Sequence, residues 1–184
     1  LNQNNLIKSF SDQTIDLNAI AKGWGVDQLF EYMRDAGMKN FMVEIGGEVR
    51  TLGKNNKGSH WKIGIDKPMI GTVPGEQIYS VVSVSNQAMA TSGNYRNFQE
   101  YNNVKYSHII DPKTGKPTQS NIASVTVIAP NCMDADALAT ALNVMDVKEG
   151  KALVESLDGI EAFWIMKEKG HLRSVETSGM PIDN

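Results

Sequence analysis

The feature that most narrows the fold is a long succession of strand-like segments with no helix among them. Between Asn40 and Pro130, "NFMVEIGG", "EVRTLG", "HWKIGID", "IYSVVSVSN" and "IASVTVIAP" alternate or carry β-branched residues, and Gly, Asn and Pro punctuate them. "NFMVEIGG" is expected to form a short buried strand that stops at its glycine pair. "YRNFQEYNNVKYSHII" reads as a hairpin turning at Asn102-Asn103, and "GIEAFWIMKEKGHLRSVET" as a closing hairpin turning at Lys169-Gly170. Helical spacing is confined to three stretches. "AIAKGWGVDQLFEYMRDAG" sets Val26, Leu29, Phe30 and Met33 at helical intervals and ends on Gly37, a C′ glycine. "MDADALATALNVM" and "VKEGKALVESL" supply the other two. Few helices and consecutive strands predict an α+β fold, a largely antiparallel sheet with a few packed helices.

The 184 residues suffice for one domain with a sizeable core. Acids and bases are scattered, the net charge is −3, and there is no basic patch, so nucleic acid is excluded as an expected partner. The single cysteine, Cys132, excludes an intramolecular disulfide and a thiolate zinc cluster. No apolar run approaches the roughly 18 residues of a membrane-spanning helix. The opening "LNQNNLIKSFSDQTIDL" reads as the interior of a longer polypeptide, so residues 1–184 are expected to form a single domain in the C-terminal part of a larger protein.

Four stretches invite chemistry. In "MDADALATALNVM", Asp136 and Thr140 stand four residues apart and stack on one helix face. A carboxylate with a hydroxyl one turn on suits a hard cation such as Mg²⁺, although D-x-x-x-T is a common helical pattern and also reads as plain packing. Asn131 or Asp134 caps this helix, and Asp134 is read as a helix-start acid. Leu138, Leu142 and Met145 are read as core. In "DLNAIAKGWGVD" a strand end, small residues and a helix start form a place where backbone groups face a ligand. Lys22 there either contacts a phosphate or is a solvated lysine working against the helix dipole. Thr91, Ser92, Gly93 and Asn94 are read as a polar turn, and Asp111-Pro112 with Thr114-Gly115 as another. His108 directly precedes that second loop, where catalytic groups concentrate. His60 and His171 lie beside turns and are read as surface. Spacing alone does not bring these stretches into one site.

Taken together, they resemble the ApbE family, the FAD:protein FMN transferases, formerly called thiamine biosynthesis lipoproteins. The family's D-L-G-(G/A)-I-A-K-G-(Y/F)-A-(A/V)-D is similar to "DLNAIAKGWGVD", its T-S-G-x-Y-R-x-F to "TSGNYRNF", and its S-H-I-I-D-P-x-T-G-x-P to "SHIIDPKTGKP". "FMVEIGGEVR" and "DADALAT" complete the ordered set. Asn18 replaces a glycine, and Trp24 and Gly25 replace an aromatic-alanine pair. Family members also carry further chain before the first motif, including flavin contacts.

The resemblance implies an ApbE-like, T-fold-like arrangement and a mechanism. Mg²⁺ is held by Asp136, the Thr140 hydroxyl and the Ala19 carbonyl. Lys22 and the metal engage the pyrophosphate of FAD, and Asp16 and the backbone near Ile110 contact FAD. A Ser/Thr hydroxyl in the acceptor motif of a target flavoprotein attacks the FMN-side phosphorus, and AMP leaves. His108 serves as base or positioning group. The alanines around Asp136 then read as clearance for a diphosphate. A periplasmic location, on the outer face of the bacterial inner membrane through a lipid anchor outside this chain, is implied in the same way. Two alternatives stand beside this reading: a Mg²⁺-dependent FAD pyrophosphatase giving FMN and AMP, and a non-catalytic FAD-binding domain.

Overall fold

In the computed structural model the described residues are 7–69, 71–93, 98–101, 104–107, 109–118 and 120–183, with 98–101 and 104–107 described by their backbone alone. The glycine pair Gly46-Gly47, at φ +60° and +99°, folds strand β1 (Phe41–Ile45) back on β2 (Glu48–Leu52), so that Ile45 faces Glu48. Two left-handed residues match the right-handed twist of the strands they join. At the other end of the chain, Lys169 and Gly170 make the same kind of turn between β11 (Glu161–Glu168) and β12 (His171–Glu176).

Between these hairpins the chain adds β3 (Trp61–Asp66), β4 (Ile78–Val84), β5 (Ala88–Gly93), β6 (Phe98–Tyr101), β7 (Val104–Ser107), β8 (Ile110–Asp111), β9 (Lys116–Pro117) and β10 (Ile122–Ala129). The main sheet runs β1-β2-β5-β10-β11-β12, antiparallel at every pairing. Pairs β3-β4, β6-β7 and β8-β9 stand as separate two-stranded sheets. The expected α+β class with a largely antiparallel sheet is therefore present.

Three helices pack on the sheet: α1 (Asn18–Asp35), α2 (Cys132–Val144) and α3 (Val147–Glu155). Every residue of β10 is buried, because both faces of that strand are covered. Val125, Val127 and Ala129 meet Ala135, Ala139 and Leu142 of α2 and Val154 of α3 on one side. Ile128 meets Ile65, Val82 and Val84 of the β3-β4 pair on the other. Leu138 and Met145 pack against the first cluster, as expected of core residues.

Helix α1 ends as its glycine requires. Gly37, at φ +89°, donates to the Arg34 carbonyl at 2.9 Å, and Met38 donates to Met33 at 3.2 Å, a Schellman closure. Four expectations need correction. Leu29 is exposed, because the buried stripe of α1 is Gly23, Val26, Asp27 and Phe30, chosen for close approach and charge pairing as well as for apolar area. Strand β1 buries only Phe41 and Val43, because as an edge strand it turns Met42 and Glu44 to solvent. No strand precedes α1 among residues 7–17. Thr91, Ser92 and Gly93 lie within β5, paired to Thr126, Val125 and Ser124 of β10, while Asn94 lies outside the described residues. His60 and His171 are exposed, as read from the sequence.

Candidate active site

The site is built where α1 crosses the start of α2. Asn131 caps α2: its Oδ1 accepts the Asp134 N–H at 2.8 Å, and its Nδ2 donates to Asp134 Oδ2 at 2.7 Å. Asp134 is thus a helix-start acid. The N–H groups of Cys132 and Met133 are satisfied from the other helix, both donating to Asp27 Oδ2, at 3.1 and 2.9 Å, with Cys132 also reaching Oδ1 at 2.9 Å. Arg50 of β2 pairs with Asp27 at 2.8 Å and Glu31 at 3.1 Å, and its guanidinium lies 4.0 Å from the Phe30 ring centroid.

Gly23 is the closest point of the crossing. A Cβ there would fall 2.4 Å from the Cys132 carbonyl oxygen, which is backbone and cannot swing aside. This approach lets the Gly23 N–H donate to Asp136 Oδ2 at 3.0 Å. In an α-helix that same N–H is the partner of the Ala19 carbonyl. Gly23 therefore stands one turn after Ala19, whose carbonyl the sequence resemblance assigns to a metal. Asp136 is buried, and burial raises its carboxyl above the ordinary range, opposed by the Gly23 N–H and then by the Lys22 charge.

Lys22, one residue earlier, pairs with Glu48 at the head of β2. The Glu48 carboxylate is 1% exposed and the Lys22 side chain 47%. Burial raises the Glu48 carboxyl, the Lys22 hydrogen bond and charge oppose that, and Asp136 adds to it by repulsion. Glu48 Oε2 has no hydrogen-bond partner among the described residues. Gly46 lies over this pair, its missing Cβ 3.5 Å from Lys22 Cδ and 3.7 Å from Glu48 Oε2.

The donor set fits a hard, oxygen-ligated cation. Asp136 Oδ1 and the Thr140 hydroxyl, one turn on, accept and donate no hydrogen bond among the described residues. Among the described residues no cluster of three His, Cys, Asp or Glu forms, so a cation held by them would rest on one carboxylate with neutral oxygens. The structure thus brings the part of α1 that carries Lys22 and Gly23 against Asp136; Ala19 stands one turn before Gly23 on α1, and Thr140 one turn after Asp136 on α2. Asp16 precedes the crossing, exposed, its carboxylate accepting the Asn18 N–H at 2.7 Å. Ile110 lies on the separate β8-β9 hairpin with half its surface exposed. The adjoining loop is tied by Asp111, which accepts from Lys113 N–H at 2.8 Å and the Thr114 hydroxyl at 3.1 Å. His108 lies outside the described residues. The reading of the alanines as diphosphate clearance is corrected for Ala135 and Ala139, which are fully buried against the sheet and let α2 lie close to it.

Sequence reasoning missed Glu48, Asp27 and Arg50. A signal existed. Once Phe41, Val43 and Ile45 are assigned to one face, a two-residue turn places their partners Leu52, Arg50 and Glu48 on that same face.

The sequence model of the ApbE family matches residues 1–164. This chain belongs to the ApbE family. It is 46% identical over 153 residues to an FAD:protein FMN transferase of Vibrio cholerae, covering 83% of this chain and 45% of that protein. It is 36% identical over 166 residues to an FAD:protein FMN transferase of Escherichia coli, covering 90% and 46%. Among solved structures, the flavin transferase ApbE from Vibrio cholerae superposes with a TM-score of 0.76 at 42% identity, covering 89% of this chain and 50% of that one. The ApbE protein from Thermotoga maritima gives 0.77 at 31%, covering 90% and 52%. The chain spans about half the length of the relatives it matches. No helix among the described residues is long and apolar enough to cross a membrane.

Proposed function

We propose that this chain carries the catalytic crossing of a Mg²⁺-dependent FAD:protein FMN transferase, moving FMN from FAD to a Ser/Thr hydroxyl of a target flavoprotein and releasing AMP. The observation that carries the reading is the Gly23 N–H bound to Asp136 at 3.0 Å. It supports the reading by fixing a buried carboxylate against α1 one turn after the Ala19 carbonyl, with the Thr140 hydroxyl one turn on along α2. Those three oxygens would hold Mg²⁺, which supplies Lewis-acid polarisation of the phosphoryl oxygens when bound. Lys22, whose side chain is half exposed, would meet the diphosphate and neutralise charge as the bond to AMP breaks. Asp16, Ile110 and His108 would line the flavin and adenylate side, with His108 taking the hydroxyl proton or positioning the hydroxyl. The relatives' names support the FAD donor and the protein acceptor.

The test is to incubate the protein with FAD, Mg²⁺ and an acceptor domain and to read the acceptor's mass. Gain of an FMN mass with AMP in solution is the expected result. Free FMN with AMP and no protein adduct would instead mark a pyrophosphatase, and no turnover a binding domain. The proposed setting is the periplasmic face of the inner membrane, reached through a lipid anchor, and fractionation of cells making the full protein checks it.

A further inference from the structure

We propose that Glu48 is a positioning residue for this reaction: its buried carboxylate holds the Lys22 ammonium beside Asp136, with the lysine's remaining N–H donors turned outward to the diphosphate. This rests on the transferase reading above. The pair is lopsided, the carboxylate 1% exposed and the lysine side chain 47%. A surface ion pair would leave both ends wet, and a core pair would close both. Here one end is sealed in the fold and the other opens to solvent. An ammonium has three donors, and Glu48 takes one of them. Lys22 directly precedes Gly23, whose N–H holds Asp136, and the Lys22 charge is felt at that carboxyl. Gly46 packs over the lysine stem, where a Cβ would make ordinary contact with Cδ at 3.5 Å, so it is the φ of +60° that asks for glycine there.

Stability alone does not account for Glu48. A buried carboxylate with an unpartnered oxygen is costly, and a neutral residue of similar volume generally serves a core as well or better. Holding the Lys22 charge in one place does account for it, because a charge that is already placed need not reorganise during phosphoryl transfer.

The experiment uses the full protein and the variants Glu48→Gln, Glu48→Asp, Lys22→Met and the double variant E48Q/K22M. In FMN transfer, Glu48→Gln is expected to lower kcat about 10²-fold while KM for FAD changes little, since a loose lysine still binds diphosphate but no longer meets it in register. Lys22→Met is expected to raise KM and lower kcat, and the double variant to match Lys22→Met within about twofold, because Glu48 acts through Lys22. Glu48→Asp, which keeps the charge on a shorter stem, should recover part of the loss. A second readout needs no catalysis: acylation of Lys22, followed by peptide mass, should speed up about tenfold in Glu48→Gln as the ammonium is released. Multiplying effects in the double variant, unchanged transfer in Glu48→Gln, or unchanged Lys22 acylation would each overturn the proposal. If Glu48→Gln does not fold, Glu48→Asp decides by the same two readouts, with wild-type behaviour in both overturning it. Failure of the wild type to transfer FMN would sink the transferase reading instead, and the acylation rates would then decide the tether by themselves.

Discussion

Two acidic corners share the α1–α2 crossing, and they treat charge in opposite ways. At the first, Asp27 receives the N–H groups of Cys132 and Met133 and the Arg50 guanidinium, so both its oxygens are engaged. At the second, Glu48 and Asp136 are as deeply buried, yet Glu48 Oε2 and Asp136 Oδ1 find no partner among the described residues, and burial raises both carboxyls. The difference separates a charge consumed in joining two helices from a charge whose hydrogen-bonding capacity the described residues leave partly open. Burial alone does not tell them apart; the count of partners does.

The largest effect should come from emptying the first corner. Asp27→Ala strips Arg50 of a partner and orphans two first-turn N–H groups of α2, and it is expected to cost about 3–5 kcal/mol, read as a lower urea midpoint. Emptying the second corner should do the reverse. Asp136→Asn is expected to reduce FMN transfer about 10²–10³-fold while the melting temperature stays level or rises. Parallel losses of activity and stability in Asp136→Asn would erase the distinction between the corners. Between them, Gly23→Ala is expected to push the helices apart and cost about 1–3 kcal/mol, with weaker Mg²⁺ binding in a calorimetric titration because Asp136 loses its amide.

The smallest effect is in pH. The Glu48 and Asp136 carboxyls have ordinary values of 4.5 and 3.8, and burial raises both in the folded protein. The folded state therefore binds these protons more tightly than the unfolded one. The stability they contribute is fully present below the ordinary values and is lost as pH rises through the raised ones. Asp183 has the opposite sign. Hydrogen bonds from Lys62 and Ser83 hold its carboxyl below 3.8, so its contribution is present above that value and lost as pH falls through the folded one. Melting curves of the metal-free protein between about pH 4 and pH 8 should show Glu48→Gln with a flatter decline on the alkaline side than wild type.

Periodicity and turn chemistry made most of the fold legible. The Gly37 closure, the end of β1 at Gly46-Gly47, the Lys169-Gly170 turn and the strand β10 all follow from local residues. Leu29 shows the limit, because helical spacing counts apolar positions and cannot foresee that Gly23 and Asp27 would take the buried stripe. Thr91 to Gly93 show another, since polar small residues read as a turn until a neighbouring strand pairs with them. The site was legible in parts. The i, i+4 spacing of Asp136 and Thr140 raised a cation as one of two readings, but the approach of α1 to Asp136 required knowing that Gly23 touches α2, which no local pattern contains. Glu48 stayed hidden because a charged residue after a turn is ordinarily a surface residue, and only the strand register turns it inward.

The partner that fixes Asp136 is a main-chain amide. Short of proline, no substitution along α1 can delete that donor. The aim of the carboxylate is thus held by the backbone, and apart from Lys22 the outer residues of α1 can vary without removing that donor. What the crossing cannot absorb at Gly23 is volume.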